Sequence, residues 1–217
     1  MKNIVLIAPP ASGKGTQAEL IKDKYNIPHI STGDLLRAKA LEDNETGRHI
    51  KEVQASGGLV DISVTTNLLE ERLNRADCDM GYILDGYPRN MEQVKALEDI
   101  LKTEHKEIGY VIYLKIDKEI ALKRTLGRST CSKCGATYND NNPERTPKQA
   151  GKCDVCGTEL IKRSDDNEEA FIKRFDTYMT NTEPVIDYYR NLGLLYEVNG
   201  GAEISETFIE IQDIINK

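Results

Sequence analysis

From Asn3 to Ile7 the chain reads NIVLI, an unbroken apolar, largely β-branched run that Pro9, Pro10 and Gly13 close. The stretch GTQAELIKDKYN follows, with Ala18, Leu20 and Ile21 spaced among polar residues as on one face of a helix. This pattern predicts strand, loop, helix. The same alternation returns downstream: GYILDGYP as strand and turn, MEQVKALEDILK as helix, GYVIYLKI as strand, EIALKRTLG as helix, GLLYEVNG as strand and EISETFIEIQDIINK as a last helix. Strands that alternate with helices predict an α/β fold around a parallel sheet, because each crossover helix returns the chain in the same direction.

Two regions break this rhythm. Residues 31–60 are polar and helix-like between turns rich in Thr and Gly, and residues 127–164 are turn-rich. Both are expected to be insertions at the edge of the sheet. After the second, SDDNEEAFIKRFDTYMTNTEPVIDYYRNL returns to a helical pattern, with Ser164 or Asp165 as the expected N-cap and acidic residues in the first turn.

Composition fits one enzyme-sized core: 217 residues, 39% apolar and 30% charged. The net charge of −7 argues against general nucleic-acid binding. The apolar run Ile4 to Ala8 is too short for the core of a secretion signal, and no stretch of about 18 apolar residues is present. A cytoplasmic protein is expected. Cys131, Cys134, Cys153 and Cys156 form two C-x2-C pairs separated by eighteen residues, a spacing that matches a tetrahedral Zn2+ site. Four thiolates leave no coordination position open, so the role expected is structural. Cys78 stands apart.

The turn after the first strand, APPASGKGT from Ala8 to Thr16, is one residue pattern away from a phosphate loop. Such a loop aims backbone N–H groups and a helix N-terminus at one anion. The usual G-x-x-x-x-G-K-[ST] is altered: Ala8 replaces the first glycine, and Gly15 precedes Thr16. Taken alone, these residues suit a tight strand-to-helix turn as well as a nucleotide site.

Further motifs change that balance. SGKGTQAEL, HISTGDLLRA, GYILDGYPRNMEQ, LKRTLGR and RSDDNEEAFIKRF together resemble the adenylate kinases, of the bacterial long form with a zinc-bearing lid, in order and spacing over nearly the whole chain. The resemblance implies a P-loop NTPase-type parallel sheet flanked by helices. Residues 1–30, 61–126 and 165–217 would be the core, 31–60 an AMP-binding helical insertion and 127–164 a zinc-binding lid. It implies reversible transfer of a phosphoryl group from ATP to AMP, giving two ADP, with Mg2+ and a structural Zn2+, in a monomer.

The resemblance also implies site residues. Ser12, Gly13, Lys14, Gly15, Thr16, Arg124, Arg128, Tyr138 and Gly201 would bind ATP. Thr32, Gly33, Arg37, Leu59, Val60, Gly86, Arg89, Gln93, Arg163 and Arg174 would bind AMP. Lys14, Arg89, Arg128, Arg163 and Arg174 would neutralise the transferring group, Asp85 would hold Mg2+ through water, and Asp165 and Asp166 would order the lid hinge. Arginine suits phosphate because its planar fork binds two oxygens and stays charged. Gln93 would read adenine, since a carboxamide both donates and accepts.

The chain departs from the family at Ala8 and Ala11, where glycine is usual, in SGGLVDISV, which lacks the usual proline and acid, and at Ser129. Alanine at a position of positive φ costs about 1 kcal/mol or more. A weak nucleotide-sensing homologue and a kinase for another nucleoside monophosphate therefore stay open as alternatives.

Overall fold

The computed structural model describes residues 3–163 and 166–217. Strand β1 (Asn3–Ile7) leads into helix α1 (Lys14–Tyr25), followed by β2 (His29–Ser31), α2 (Thr32–Lys39), α3 (Glu45–Ala55), α4 (Ile62–Leu73), β3 (Ile83–Asp85), α5 (Met91–Thr103), β4 (Ile108–Lys115) and α6 (Lys118–Leu126). Three short strands come next, β5 (Arg128–Cys131), β6 (Thr137–Asn139) and β7 (Leu160–Ile161), then α7 (Glu168–Asn191), β8 (Leu195–Asn199) and α8 (Ile204–Ile215).

The central sheet has the order β2-β3-β1-β4-β8 and is parallel throughout. All five residues of β1 are buried, as expected for a strand covered on both faces. Alternation divides them. Val5 and Ile7 pack with Leu84, Val111 and side chains of α4, α5 and α7, among them Leu69, Leu97, Val185 and Tyr189. Ile4 and Leu6 pack with Ile83, Ile112, Leu114 and residues of α1 and α8, including Ile21 and Ile211. The connection leaving β1 runs to one side of the sheet and that leaving β3 to the other, so a crevice opens at the carboxyl ends of these neighbouring strands.

Between β2 and β3, Leu36, Ala40, Ile50 and Val60 form a small apolar cluster of their own. The later interruption is an antiparallel sheet β6-β5-β7, with Cys131, Tyr138 and Cys153 at its centre. Helix α7 begins at Glu168, and its N-cap is Asn167, whose side chain accepts from the Ala170 N–H at 2.9 Å. The expected caps Ser164 and Asp165 lie outside the described residues. Among the described residues no helix is long and apolar enough to cross a membrane.

Candidate active site

The loop between β1 and α1 is built for an anion. Gly13 takes φ +88°, the left-handed region, and precedes a helix whose first turn has no side-chain cap. Ser12 is buried, and its hydroxyl has no hydrogen-bond partner among the described residues. Gly15 and Thr16 sit in the first turn of α1. Uncapped N–H groups at a helix start, beside an orphaned hydroxyl, present donors to a phosphate. Of the two alanines, Ala11 adopts φ +60° and Ala8 does not enter the left-handed region.

Lys14 reaches across to β3, its Nζ 2.5 Å from Asp85 Oδ1. Burial would raise the Asp85 pKa, but Lys14 and His29 more than offset it, so the carboxyl is held well below the usual carboxylate range. His29 was not anticipated as a site residue. Its Nε2 lies 3.0 Å from Asp85 Oδ2 and its Nδ1 2.7 Å from Glu19 Oε1 on α1. Burial lowers the His29 pKa, yet hydrogen bonding to Asp85 and Glu19, and their charges, leave it raised overall. Sequence offers little signal for this triad, whose members belong to three separate elements.

On the β2 side, the Thr32 hydroxyl donates to the carbonyl of Gly86 at 2.8 Å. Gly86 has φ +81°, and a Cβ there would stand 2.9 Å from Arg89 Nη2 and 3.1 Å from Thr32 Oγ1, so glycine is required. Arg89 is anchored by Nε donating to the Gly86 carbonyl at 2.8 Å, and its own carbonyl accepts from the Thr182 hydroxyl of α7 at 2.9 Å. Its pKa is lowered by burial and by the facing charges of Arg174 and Arg37, with Asp85 acting against them. Guanidiniums that repel one another around one crevice define a place where an anion is stabilised.

Arg37 pairs with Asp34 at 2.5 Å and overlies Gly33. Arg174 passes beside Gly57, where a Cβ would meet its Cγ at 2.9 Å. Val60 belongs to the apolar cluster of this insertion, and Leu59 beside it is half-buried. Gln93 is buried, and its side-chain oxygen accepts from the Arg89 N–H at 2.8 Å. One lone pair of the carboxamide is thus already used, which leaves its nitrogen as the end available to donate to a base.

Opposite, Arg124 at the end of α6 donates to the carbonyls of Gly200 at 2.7 Å and Gly201 at 3.2 Å, fastening the loop after β8. Arg128 forms a two-pronged pair with Asp166, with Nε to Oδ2 at 2.8 Å. Arg163 is half-buried at the end of the described part of this segment, and Asp165 lies outside it. Tyr138, expected at the ATP, lies in β6. Its ring is buried among the cysteines, with the hydroxyl accepting from the Asp154 N–H at 2.7 Å and 3.5 Å from Cys153 Sγ.

Cys131, Cys134, Cys153 and Cys156 bring their sulfurs within 4.8 Å of one another. Separations of 3.4 Å (Cys131 to Cys156), 3.5 Å (Cys134 to Cys153) and 3.6 Å (Cys134 to Cys156) are close to the roughly 3.8 Å expected of four sulfurs about 2.3 Å from one central Zn2+. The donor set fits that ion. Cys78 is fully buried beside Arg72, far along the chain from this cluster.

A model of the family described as Adenylate kinase matches residues 6–194. A protein of Bacillus cereus (strain AH187) named Adenylate kinase is 45% identical over 214 residues, covering 98% of each chain. The Adenylate kinase of Bacillus cytotoxicus is also 45% identical over 214 residues, and that of Clostridium botulinum (strain Loch Maree / Type A3) is 43% identical over 215, covering 99% of this chain and 98% of its own. A match of this extent, on a fold whose crevice gathers Lys14, Asp85, Arg37, Arg89 and Arg174, leads to one conclusion: the chain belongs to the adenylate kinase family.

Proposed function

We propose that the chain catalyses the reversible reaction of ATP and AMP to two ADP. In the forward direction an AMP phosphate oxygen forms a bond to the γ-phosphorus as the bond from that phosphorus to the bridging oxygen of ADP breaks. The observation that carries this reading is the convergence of Arg37, Arg89 and Arg174 on the crevice where Lys14 meets Asp85. A phosphomonoester is already largely dianionic near neutral pH. The acceptor therefore needs no general base, and catalysis consists of positioning and charge neutralisation.

In this reading Ser12 to Thr16 hold the ATP phosphates, with Lys14 moving from Asp85 to them. Arg124 and Gly201 face the donor base, and Arg128 and Arg163 approach the transferring group from the lid. Thr32, Gly33, Arg37, Leu59, Val60, Gly86, Arg89, Gln93 and Arg174 line the AMP side. Asp85, an ionised oxygen donor beside the phosphate loop, suits a hard cation and would hold Mg2+ through water. Bound Mg2+ supplies charge neutralisation on the phosphates. Zn2+ on the four cysteines would fix the fold of the lid.

The reading also assigns residues 31–60 as the AMP-binding insertion, 127–164 as the lid, and 1–30, 61–126 and 165–217 as the core. Closing both insertions would exclude water, which otherwise competes as acceptor. A cytoplasmic monomer is part of this proposal.

The test is a coupled assay of ADP formation from ATP and Mg2+ with AMP, CMP, UMP or GMP. Turnover with AMP far above the others is expected, and Arg89→Ala should lower kcat about 100-fold or more. Absence of turnover with every monophosphate, from folded protein that binds ATP, would overturn the reading in favour of a nucleotide sensor.

A further inference from the structure

Helix α8 starts directly after the loop that Arg124 fastens, and its N-cap residue, Glu203, makes no side-chain capping bond. The cap comes from elsewhere in the chain. Glu144, in a short 3-10 turn (Pro143–Arg145) between β6 and β7, accepts the N–H of Ile204 on Oε2 at 2.8 Å. The carbonyl of Ile204 accepts from Gln17 Nε2 at 2.9 Å, and Gln17 lies in the first turn of α1, next to Thr16. One residue of α8 is thereby bonded to the phosphate-loop helix on one side and to the lid on the other.

The same part of the lid makes two more contacts with the core. Asn139 Nδ2 donates to the Arg124 carbonyl at 2.6 Å and Asn141 Nδ2 to the Lys123 carbonyl at 2.7 Å, serving the carbonyl end of α6. They press on Gly127, where a Cβ would meet Asn141 Nδ2 at 2.5 Å and Asn139 Oδ1 at 2.7 Å. Those two contacts sit beside the chain connection into the lid. Glu144 touches the core at the far side of the loop 199–203, and its charge also acts on the Arg124 guanidinium.

We propose that Glu144 is a positioning residue of the donor-nucleotide site: carried on the lid, it caps α8 and holds the loop from Asn199 to Glu203 in the arrangement that receives the donor base. The inference rests on the reading of this crevice as an ATP site. Lid position and base-loop geometry are then coupled, because swinging the lid away removes the cap of α8 and frees the loop at its α8 end. Gln17 ties the same residue, through its carbonyl, to the phosphate-loop helix, so the phosphate and base subsites share one fixed point at Ile204.

The test compares Glu144→Ala and Glu144→Gln with the unmodified full chain, with KM measured separately for ATP and AMP and amide hydrogen exchange followed at Ile204. Loss of a cap corresponds to roughly three- to tenfold in an equilibrium. Glu144→Ala is therefore expected to raise KM for ATP by about that factor, leave KM for AMP within twofold, and speed exchange at Ile204. Glu144→Gln keeps an oxygen acceptor and should show a smaller change in the same direction. An unchanged KM for ATP, an equal rise in both KM values, or unaltered exchange at Ile204 in Glu144→Ala would overturn the proposal. If the unmodified chain fails to convert ATP and AMP, the kinase reading falls on its own, whereas calorimetric ATP binding and the Ile204 exchange rate still decide the role of Glu144.

Discussion

His29 Nε2 stands 3.0 Å from Asp85 Oδ2, so the carboxylate that faces Lys14 is held from both sides, and the imidazole is itself held by Glu19. The raised pKa of His29 means that the folded chain binds this proton more tightly than the unfolded chain does. The stabilisation is fully present below the unfolded pKa of about 6.5 and is lost as pH rises through the higher folded value.

His29→Gln is therefore expected to cost about 2 kcal/mol at pH 6, the scale of a hydrogen bond to a charged group. The difference from the unmodified chain should shrink by pH 9. Urea unfolding at both pH values checks this, and a gap that widens with pH would contradict the assignment of the proton to His29.

Ala11 sits at φ +60° in the loop between β1 and α1, a conformation that costs an alanine about 1–2 kcal/mol. Glycine removes that strain but makes the unfolded chain more flexible by about 0.4–1 kcal/mol. Ala11→Gly should thus stabilise the protein by about 0.5–1 kcal/mol in thermal or denaturant unfolding. Ala8→Gly, at a position outside the left-handed region, should give no gain.

The buried Gln93 accepts the Arg89 N–H, and it faces the proposed AMP side. Gln93→Leu leaves that N–H unpaired, at a cost of about 1–3 kcal/mol, and removes the amide that would read adenine. Steady-state kinetics should show KM for AMP rising about tenfold or more while KM for ATP stays within twofold. A selective rise for ATP would contradict the assignment.

The cysteine cluster gives a prediction about metal. Cys153→Ser, or treatment of the full chain with a strong chelator, should reduce bound zinc from about one ion per chain to well below that, as elemental analysis would show. Binding energy on the order of 10 kcal/mol is folding energy in small zinc modules. Residues 128–161 should then exchange their amide hydrogens rapidly while β1, β3 and β4 stay protected.

Much of this was readable from the sequence. The run NIVLI and its helix, the strands before Lys115 and Asn199, and the two C-x2-C pairs carry patterns long or specific enough to declare themselves. Strand β2 is three residues long and hides in HIST, and β5, β6 and β7 have two to four residues each, too few for a period of two to show. His29, Thr182 and Glu144 gain their roles from partners 56, 93 and 60 positions away. Tyr138, which the family resemblance places at ATP, has a hydroxyl partnered by Asp154 and Cys153, contacts that no local pattern announces.

Helix α7 carries Asn167 as its cap, Arg174 against Gly57, and Thr182 against the Arg89 carbonyl. These three points lie on one rigid rod, and each added residue in a helix turns everything beyond it by about 100°. The chain can therefore change length in exposed turns that carry no such contact, but not between Arg174 and Thr182. An insertion there would leave every site residue present and rotate Arg174 out of phase with Arg89, so the spacing of this helix acts as the gauge for the whole crevice.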